Sequence, residues 1–346
     1  MIGPVTLILS QRDIRELLPM DACMDVVADS LRTLARGEAQ NPLRWGMRLD
    51  DGRGLIGMMP GALGSPTALG LKIVTVFPGN HGTPLDSHQG VVVLFDPANG
   101  STTAILDASE ITAIRTGAAS GVATRLLARE DAGDLAILGS GVQAASHLAA
   151  MAVARTLRRV RVFSPNRDRL EKFSRLATGR HGIPVEPMDT AESTVRGADL
   201  ICTTTSAKTP VLEGAWIASG AHINAAGSSV KSTRELDTAA VVGSRLFIDR
   251  RESTVNEAGD YLIPLQEGVL TEEHIVAEIG DLLLGRAEGR GSSDEITLFK
   301  SLGLAIWDLA AATHVVQAAR DRGMGTEVEM GGVKYGADED GPDPAP

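Results

Sequence analysis

Leu135-Ala136-Ile137-Leu138-Gly139-Ser140-Gly141-Val142-Gln143-Ala144 is the stretch on which the fold turns. Its four apolar residues read as a buried strand, and a Gly-x-Gly-x-x-Ala turn follows at once, opening a helix over 144–154. In that setting Gly139 permits the tight turn, Gly141 lets the backbone approach a pyrophosphate, and Ala144 keeps helix and strand close. Ser140, Val142 and Gln143 complete a loop whose N–H groups sit at a helix N-terminus and so favour an anion. A glycine-rich βα turn without a ligand gives the same pattern. What argues for a dinucleotide is the company the turn keeps.

Working outward, strands and helices alternate: 159–163 strand, 167–178 helix, 185 strand, 190–196 helix, 200–204 and 222–226 strands, 234–242 helix, 245–248 strand. Repeated βαβ units of this size imply a parallel, doubly wound Rossmann-type sheet with right-handed crossovers. Upstream the texture differs. A helical pattern over 12–36 precedes extended segments at 44–49, 54–58, 69–77 and 89–95. The turn Asp96-Pro97-Ala98-Asn99-Gly100 then leads into a strand at 102–106. An Ala-rich helix follows over 112–127, and another is expected over about 300–321. The fold class is thus α/β, a Rossmann-type domain over 119–304 plus a second α+β domain from 1–118 and 305–330. The Gly-, Pro- and acid-rich stretch 331–346 reads as a disordered tail.

Composition narrows the function classes. The chain has 346 residues, with 33 Lys and Arg against 44 Asp and Glu, a net charge of −11. An acidic surface repels phosphate backbones, so no nucleic-acid partner is expected. Two cysteines, Cys23 and Cys202, with no CxxC spacing, exclude a zinc site and a disulfide framework, and no metal is expected. No basic segment leads into an apolar leader and no apolar run nears a membrane span, which points to a soluble cytoplasmic protein without a membrane partner.

The cofactor is read at the end of the second strand. NAD sites place Asp or Glu there for the ribose 2′-hydroxyl. Here Ser164-Pro165-Asn166-Arg167 follows, with no carboxylate until Asp168. Arg167 suits a 2′-phosphate, with Asn166 beside it a further cofactor-binding candidate, which favours NADP, with NAD as the alternative. A helix-starting surface arginine is the plainer account of Arg167.

A further series carries a resemblance: Asn41-Pro42-Leu43-Arg44, Met59-Pro60-Gly61, Gly70-Leu71-Lys72, His88-Gln89, Ile111-Thr112-Ala113-Ile114-Arg115-Thr116, Gly139–Ala144, Gly220-Ala221-His222-Ile223-Asn224-Ala225, Arg234-Glu235-Leu236 and Leu298-Phe299-Lys300-Ser301-Leu302-Gly303. Together, over about residues 5–325, these resemble the ornithine cyclodeaminase/mu-crystallin family. The resemblance implies a two-domain subunit, usually a homodimer joined through a β-sheet of its first domain, with the active site in the cleft between the domains. It also implies that Arg44, Lys72 and Arg115 surround a substrate carboxylate.

That trio makes chemical sense. An α-imino acid carries a carboxylate beside its reacting carbon, so clustered cations would hold and orient it. Lys72 is then the catalytic candidate, donating a proton to the imine or steering a water, and His88 is a candidate for shaping the substrate site. Taken singly, each cation could be a surface charge, and Lys72 a solvated lysine on a strand's outer face. Thr116, Thr203, Thr204, Thr205, Ser229, Ser301 and Gly303 are candidates for contacting the cofactor, since ligands of open α/β sheets lie at the strand ends; helix-cap and turn roles are the alternatives. Cyclodeaminases of the family carry a glutamate before the Met-Pro pair and an aspartate after the His-Ile/Leu-Asn strand, where this chain has Gly57 and Ser229. The resemblance therefore implies a mu-crystallin-like, NAD(P)H-dependent reductase of small or cyclic α-imino acids. The alternatives are ornithine cyclodeaminase, an alanine dehydrogenase-like enzyme, or a non-catalytic NADPH- or hormone-binding protein.

Overall fold

The computed structural model describes residues 5–80 and 82–333. The tail expected over 331–346 lies, from residue 334 onward, outside the described residues. The chain divides into two compact units, Met1–Pro19 with Gly37–Thr112 and Ala305–Pro346, and Met20–Arg36 with Ala113–Leu304. This differs from the sequence reading in two respects: the division falls at residue 112 rather than 118, and Met20–Arg36 joins the second unit.

The first unit holds β1 (Val5–Leu9), α1 (Gln11–Leu17), β2 (Ala39–Gln40), β3 (Trp45–Arg48), β4 (Leu55–Gly64), β5 (Thr67–Val76), β6 (His88–Phe95), β7 (Thr102–Asp107), α11 (Ala305–Arg322) and β16 (Thr326–Glu329). Its sheet runs β16-β1-β7-β6-β5-β4-β2, with β3 on β4, and every pairing is antiparallel except β1 with β7. The single helix expected over 12–36 is two helices, because Leu18-Pro19 interrupts it: proline removes a donor and disfavours helical backbone before it. The helix expected from about residue 300 begins at Ala305, since Thr297–Lys300 is a strand. α11 packs on the sheet where small residues let it come close: a side-chain atom at Gly61 would meet Ala305 and Leu309 at 3.3 Å. Asn41 holds that helix start, its Oδ1 accepting from Ile306 N at 3.2 Å, a cap worth about 1 kcal/mol.

The second unit holds α2 (Met20–Ala35), most of α3 (Ala108–Leu127), β8 (Asp134–Leu138), α4 (Val142–Ala154), β9 (Arg159–Phe163), α5 (Arg167–His181), β10 (Val185–Pro187), α6 (Ala191–Val195), β11 (Leu200–Thr203), β12 (His222–Ala225), α7 (Thr238–Val242), β13 (Arg245–Ile248), α8 (Arg251–Glu257), α9 (Gly259–Gln266), β14 (Ile275–Glu278), α10 (Ile279–Leu283) and β15 (Thr297–Lys300). The helix expected from residue 234 is confined to α7, leaving Arg234–Asp237 as loop. All strands are parallel, in the order β10-β9-β8-β11-β12-β15-β13-β14. Alternate residues of the sheet enter two separate apolar clusters: Leu135, Ile137, Val160 and Leu200 on one face, Ala136, Leu138, Ile201 and Ile223 on the other. A sheet covered on both faces explains why β8 reads as a continuous apolar run. The strand order reverses between β8 and β11, the topological switch point where ligands of such sheets bind.

Candidate functional site

In the first unit, Lys72 is buried. It shares the buried face of β5 with Ala68 and Gly70, pairs with Met59 of β4 and Val92 of β6, and is only 3% exposed. The solvated-strand reading of this lysine is therefore overturned. Its Nζ lies 2.9 Å from Oδ2 of Asp308 on α11, itself fully buried, and 3.4 Å from Thr112 Oγ1. A buried ammonium is tolerated only with such a partner. Sequence reasoning missed Asp308. The signal was there: one acid inside the apolar helix run 305–312 has no solvent face to occupy.

Arg44 is half-buried and immediately precedes β3. Because Trp45 pairs with Met58, Arg44 stands at the register of Met59, which pairs with Lys72. The backbones at Arg44 and Lys72 are thus two strand spacings apart, roughly 10 Å. Gly57, within β4, has room for a side chain, its nearest outside neighbour being Val74 Cγ1 at 3.6 Å. His88 opens β6 on the exposed surface, its Nδ1 3.1 Å from Ser87 Oγ.

In the second unit, Arg115 and Thr116 are buried on α3. Arg115 packs under the turn after β15: Gly303 has φ +85°, and a Cβ there would lie 2.6 Å from Arg115 Nη1. That turn is held from below by Asp249 at the end of β13, whose Oδ2 accepts from Leu302 N at 2.6 Å and Gly303 N at 2.9 Å.

The glycine turn tests whether a dinucleotide fits. Gly139 is required by the protein itself: φ is +118°, and a Cβ would meet Thr204 Oγ1 at 2.7 Å. Gly141 is not so required, since nothing lies within 4 Å of where its Cβ would be. The N-terminus of α4 has no side-chain cap, so its first N–H groups, around Val142 and Gln143, are not taken by a capping side chain. Ser301 Oγ, after β15, is buried with no hydrogen-bond partner among the described residues. Open space over uncapped donors and an orphaned hydroxyl fit a phosphate-bearing cofactor. Ser140 lies in the same half-buried turn.

At the end of β9, Asn166 caps α5, its Oδ1 accepting from Arg169 N at 2.9 Å. Arg167 is exposed and engaged twice, Nε to Glu171 Oε1 and Nη1 to Asp189 Oδ1, each at 2.8 Å.

The loops after β11 and β12 converge on a carboxylate. Glu235 is fully buried; its Oε1 accepts from Thr205 N at 2.6 Å and Thr205 Oγ1 at 2.7 Å, its Oε2 from Thr203 Oγ1 and Gly227 N, both at 2.7 Å. Burial pushes its pKa up, against Lys300 and the threonine hydrogen bonds. Lys300 Nζ pairs with Asp260 Oδ2 at 2.8 Å and donates to Ser228 O at 2.6 Å, beside the half-buried Ser229. Thr204 Oγ1 donates to Leu138 O at 3.0 Å. The Thr203–Thr205 hydroxyls are thus committed to protein partners. Arg234-Glu235-Leu236 and Lys300 were legible as motif residues; their convergence was not.

Burial pushes the Cys202 thiol up to about 12, which makes it an inert packing residue. Among the described residues no cluster of His, Cys, Asp and Glu is arranged to hold a metal ion, and no helix is long and apolar enough to cross a membrane.

Residues 4–323 match the ornithine cyclodeaminase/mu-crystallin family. A Δ1-pyrroline-2-carboxylate reductase of Bacillus thuringiensis is 34% identical over 325 residues, 94% of this chain and all of that one. The ketimine reductase mu-crystallin of Mus musculus is 38% identical over 279 residues, 81% of this chain and 85% of that one. Among solved structures, the Thermococcus litoralis Δ1-pyrroline-2-carboxylate reductase in complex with NADH and L-proline matches with a TM-score of 0.91 and 37% identity, covering 93% of this chain and all of that one.

Proposed function

The chain belongs to the ornithine cyclodeaminase/mu-crystallin family, and from that premise we propose that it is an NAD(P)H-dependent reductase of small cyclic α-imino acids, such as Δ1-pyrroline-2-carboxylate or Δ1-piperideine-2-carboxylate. The observation that carries this reading is the Lys72–Asp308 pair: a buried, oriented ammonium on a chain that also builds an open dinucleotide turn. Bound NAD(P)H supplies hydride to the C=N carbon. Lys72 donates a proton at the imine nitrogen or through one water, which makes that carbon more electrophilic. Arg44 and Arg115 hold the carboxylate, and Asp308 fixes the direction of the Lys72 Nζ. Gly57 and Ser229 offer no carboxylate for the second amine of ornithine.

NADPH is the proposed preference, supported by Asn166 and Arg167 and by the absence of an acid before Asp168. Arg167→Ala then weakens NADPH binding and leaves NADH nearly unchanged; equal losses for both refute the preference. A homodimer is proposed through the sheet of the first unit, where Trp45 and Met47 of β3 are 56% and 51% exposed. A cytoplasmic site of action accompanies this reading.

The deciding experiment is cofactor oxidation with the two cyclic imines, wild type against Lys72→Ala. Turnover by the wild type that Lys72→Ala abolishes supports the proposal, and equal turnover refutes the role of Lys72. Ammonia release from ornithine without added reductant would instead identify a cyclodeaminase.

A further inference from the structure

We infer that Glu235 is a positioning residue for the nicotinamide half of the cofactor, acting through the two strand-end loops its carboxylate ties together. The inference rests on the nucleotide reading above. β8, β9 and β10 form one mononucleotide-binding half, and β11, β12 and β15 lie side by side across the switch point from it. The glycine turn and Arg167 belong to the first half. Glu235 serves the second: one carboxylate bonds the loop after β11 through Thr203 and Thr205, and the loop after β12 through Gly227.

The end of β15 is linked to the same segment through Asp260, whose Oδ1 accepts from Glu235 N at 2.8 Å and Leu236 N at 3.0 Å while its Oδ2 faces Lys300 Nζ at 2.8 Å. Lys300 directly precedes the orphaned Ser301 hydroxyl. Three charged groups, each 3% exposed or less, therefore lie together at the C-terminal ends of neighbouring strands in the middle of the sheet.

The charge on Glu235 is needed by hydrogen-bond accounting. A carboxylate offers about four acceptor positions and no donor. All of them are filled here, two by backbone N–H groups that cannot turn away. A glutamine would aim its NH2 at one such N–H, leaving a buried donor against a donor and forcing the loop to move.

The test separates positioning from bulk stability by using two ligands. NADH and NADPH span both halves of the site, whereas ADP-ribose lacks the nicotinamide ring. Titration of Glu235→Gln is expected to raise the NAD(P)H dissociation constant by about tenfold or more, the scale of one charged hydrogen bond, and to leave ADP-ribose binding unchanged. Should Glu235→Gln fail to fold, Thr205→Val removes one donor to the carboxylate and Thr205→Ser restores it. Weaker NAD(P)H binding in the first and recovery in the second is the expected result. Unchanged NAD(P)H binding in either Glu235→Gln or Thr205→Val, or equal loss of NAD(P)H and ADP-ribose, overturns the inference. Wild-type protein that binds neither NADH nor NADPH overturns the proposed function, and this inference with it.

Discussion

Replacing Asp308 by Asn keeps the shape of the side chain and removes one charge of a pair almost without water. Lys72 is 3% exposed, Asp308 is 0% exposed, and 2.9 Å separates their charged atoms. Thr112 Oγ1, at 3.4 Å, is too distant to replace a carboxylate. Breaking a buried ion pair by removing one charge costs about 3–5 kcal/mol, a large share of the roughly 5–15 kcal/mol that holds a domain together. If Lys72 is also the proton donor, its misplacement lowers kcat by about 10²–10⁴-fold. Urea unfolding and steady-state reduction of Δ1-pyrroline-2-carboxylate measure the two effects separately. The double replacement Lys72→Met/Asp308→Leu discriminates further: an apolar pair of similar volume restores most of the stability, because the desolvation cost of both charges disappears, yet activity stays absent. With the single variants Lys72→Met and Asp308→Leu added, the double-mutant cycle gives the coupling energy between the two sites. Asp308→Asn with an unchanged unfolding midpoint and with kcat/KM within about twofold of wild type would refute the reasoning.

Three other expectations follow from particular contacts. Gly303→Ala puts a Cβ 2.6 Å from Arg115 Nη1 at a φ of +85°, so it should cost about 1–2 kcal/mol and raise KM for the imine more than it lowers kcat; an unchanged KM would show that Arg115 does not hold substrate. Burial lowers the pKa of His147 to about 4 and that of His222 to about 3, against 6.5 when unfolded. Above about pH 6.5 neither residue affects stability; below it the unfolded chain takes up protons that the folded chain refuses, so stability falls by up to about 1.4 kcal/mol per pH unit for each histidine. Urea midpoints measured between neutral pH and pH 5 test this, and a flat profile contradicts it. Trp45→Glu with Met47→Glu should yield a monomer in analytical ultracentrifugation, and an undisturbed dimer would place the interface elsewhere.

What the sequence determined by itself is local. A strand run directly into Gly139-Ser140-Gly141, the βα repeats and the position of Arg167 can be read because turn geometry, helix starts and apolar periodicity are properties of neighbouring residues. The interruption at Leu18-Pro19 was equally local and could have been read. The motif residues Arg44, Lys72 and Arg115 were nameable in the same way, as members of a recognisable series. Tertiary structure alone decided which of them were buried and by whom they were held. Lys72 looks like a solvated charge until α11, 236 residues later in the chain, brings Asp308 against it. Glu235 looks like a helix-flanking acid until Thr203, Thr205 and Gly227 donate to it from two other loops. Long-range partners leave no periodic trace, because a buried charge needs one complementary group at about 3 Å and nothing in the spacing between the two residues records it.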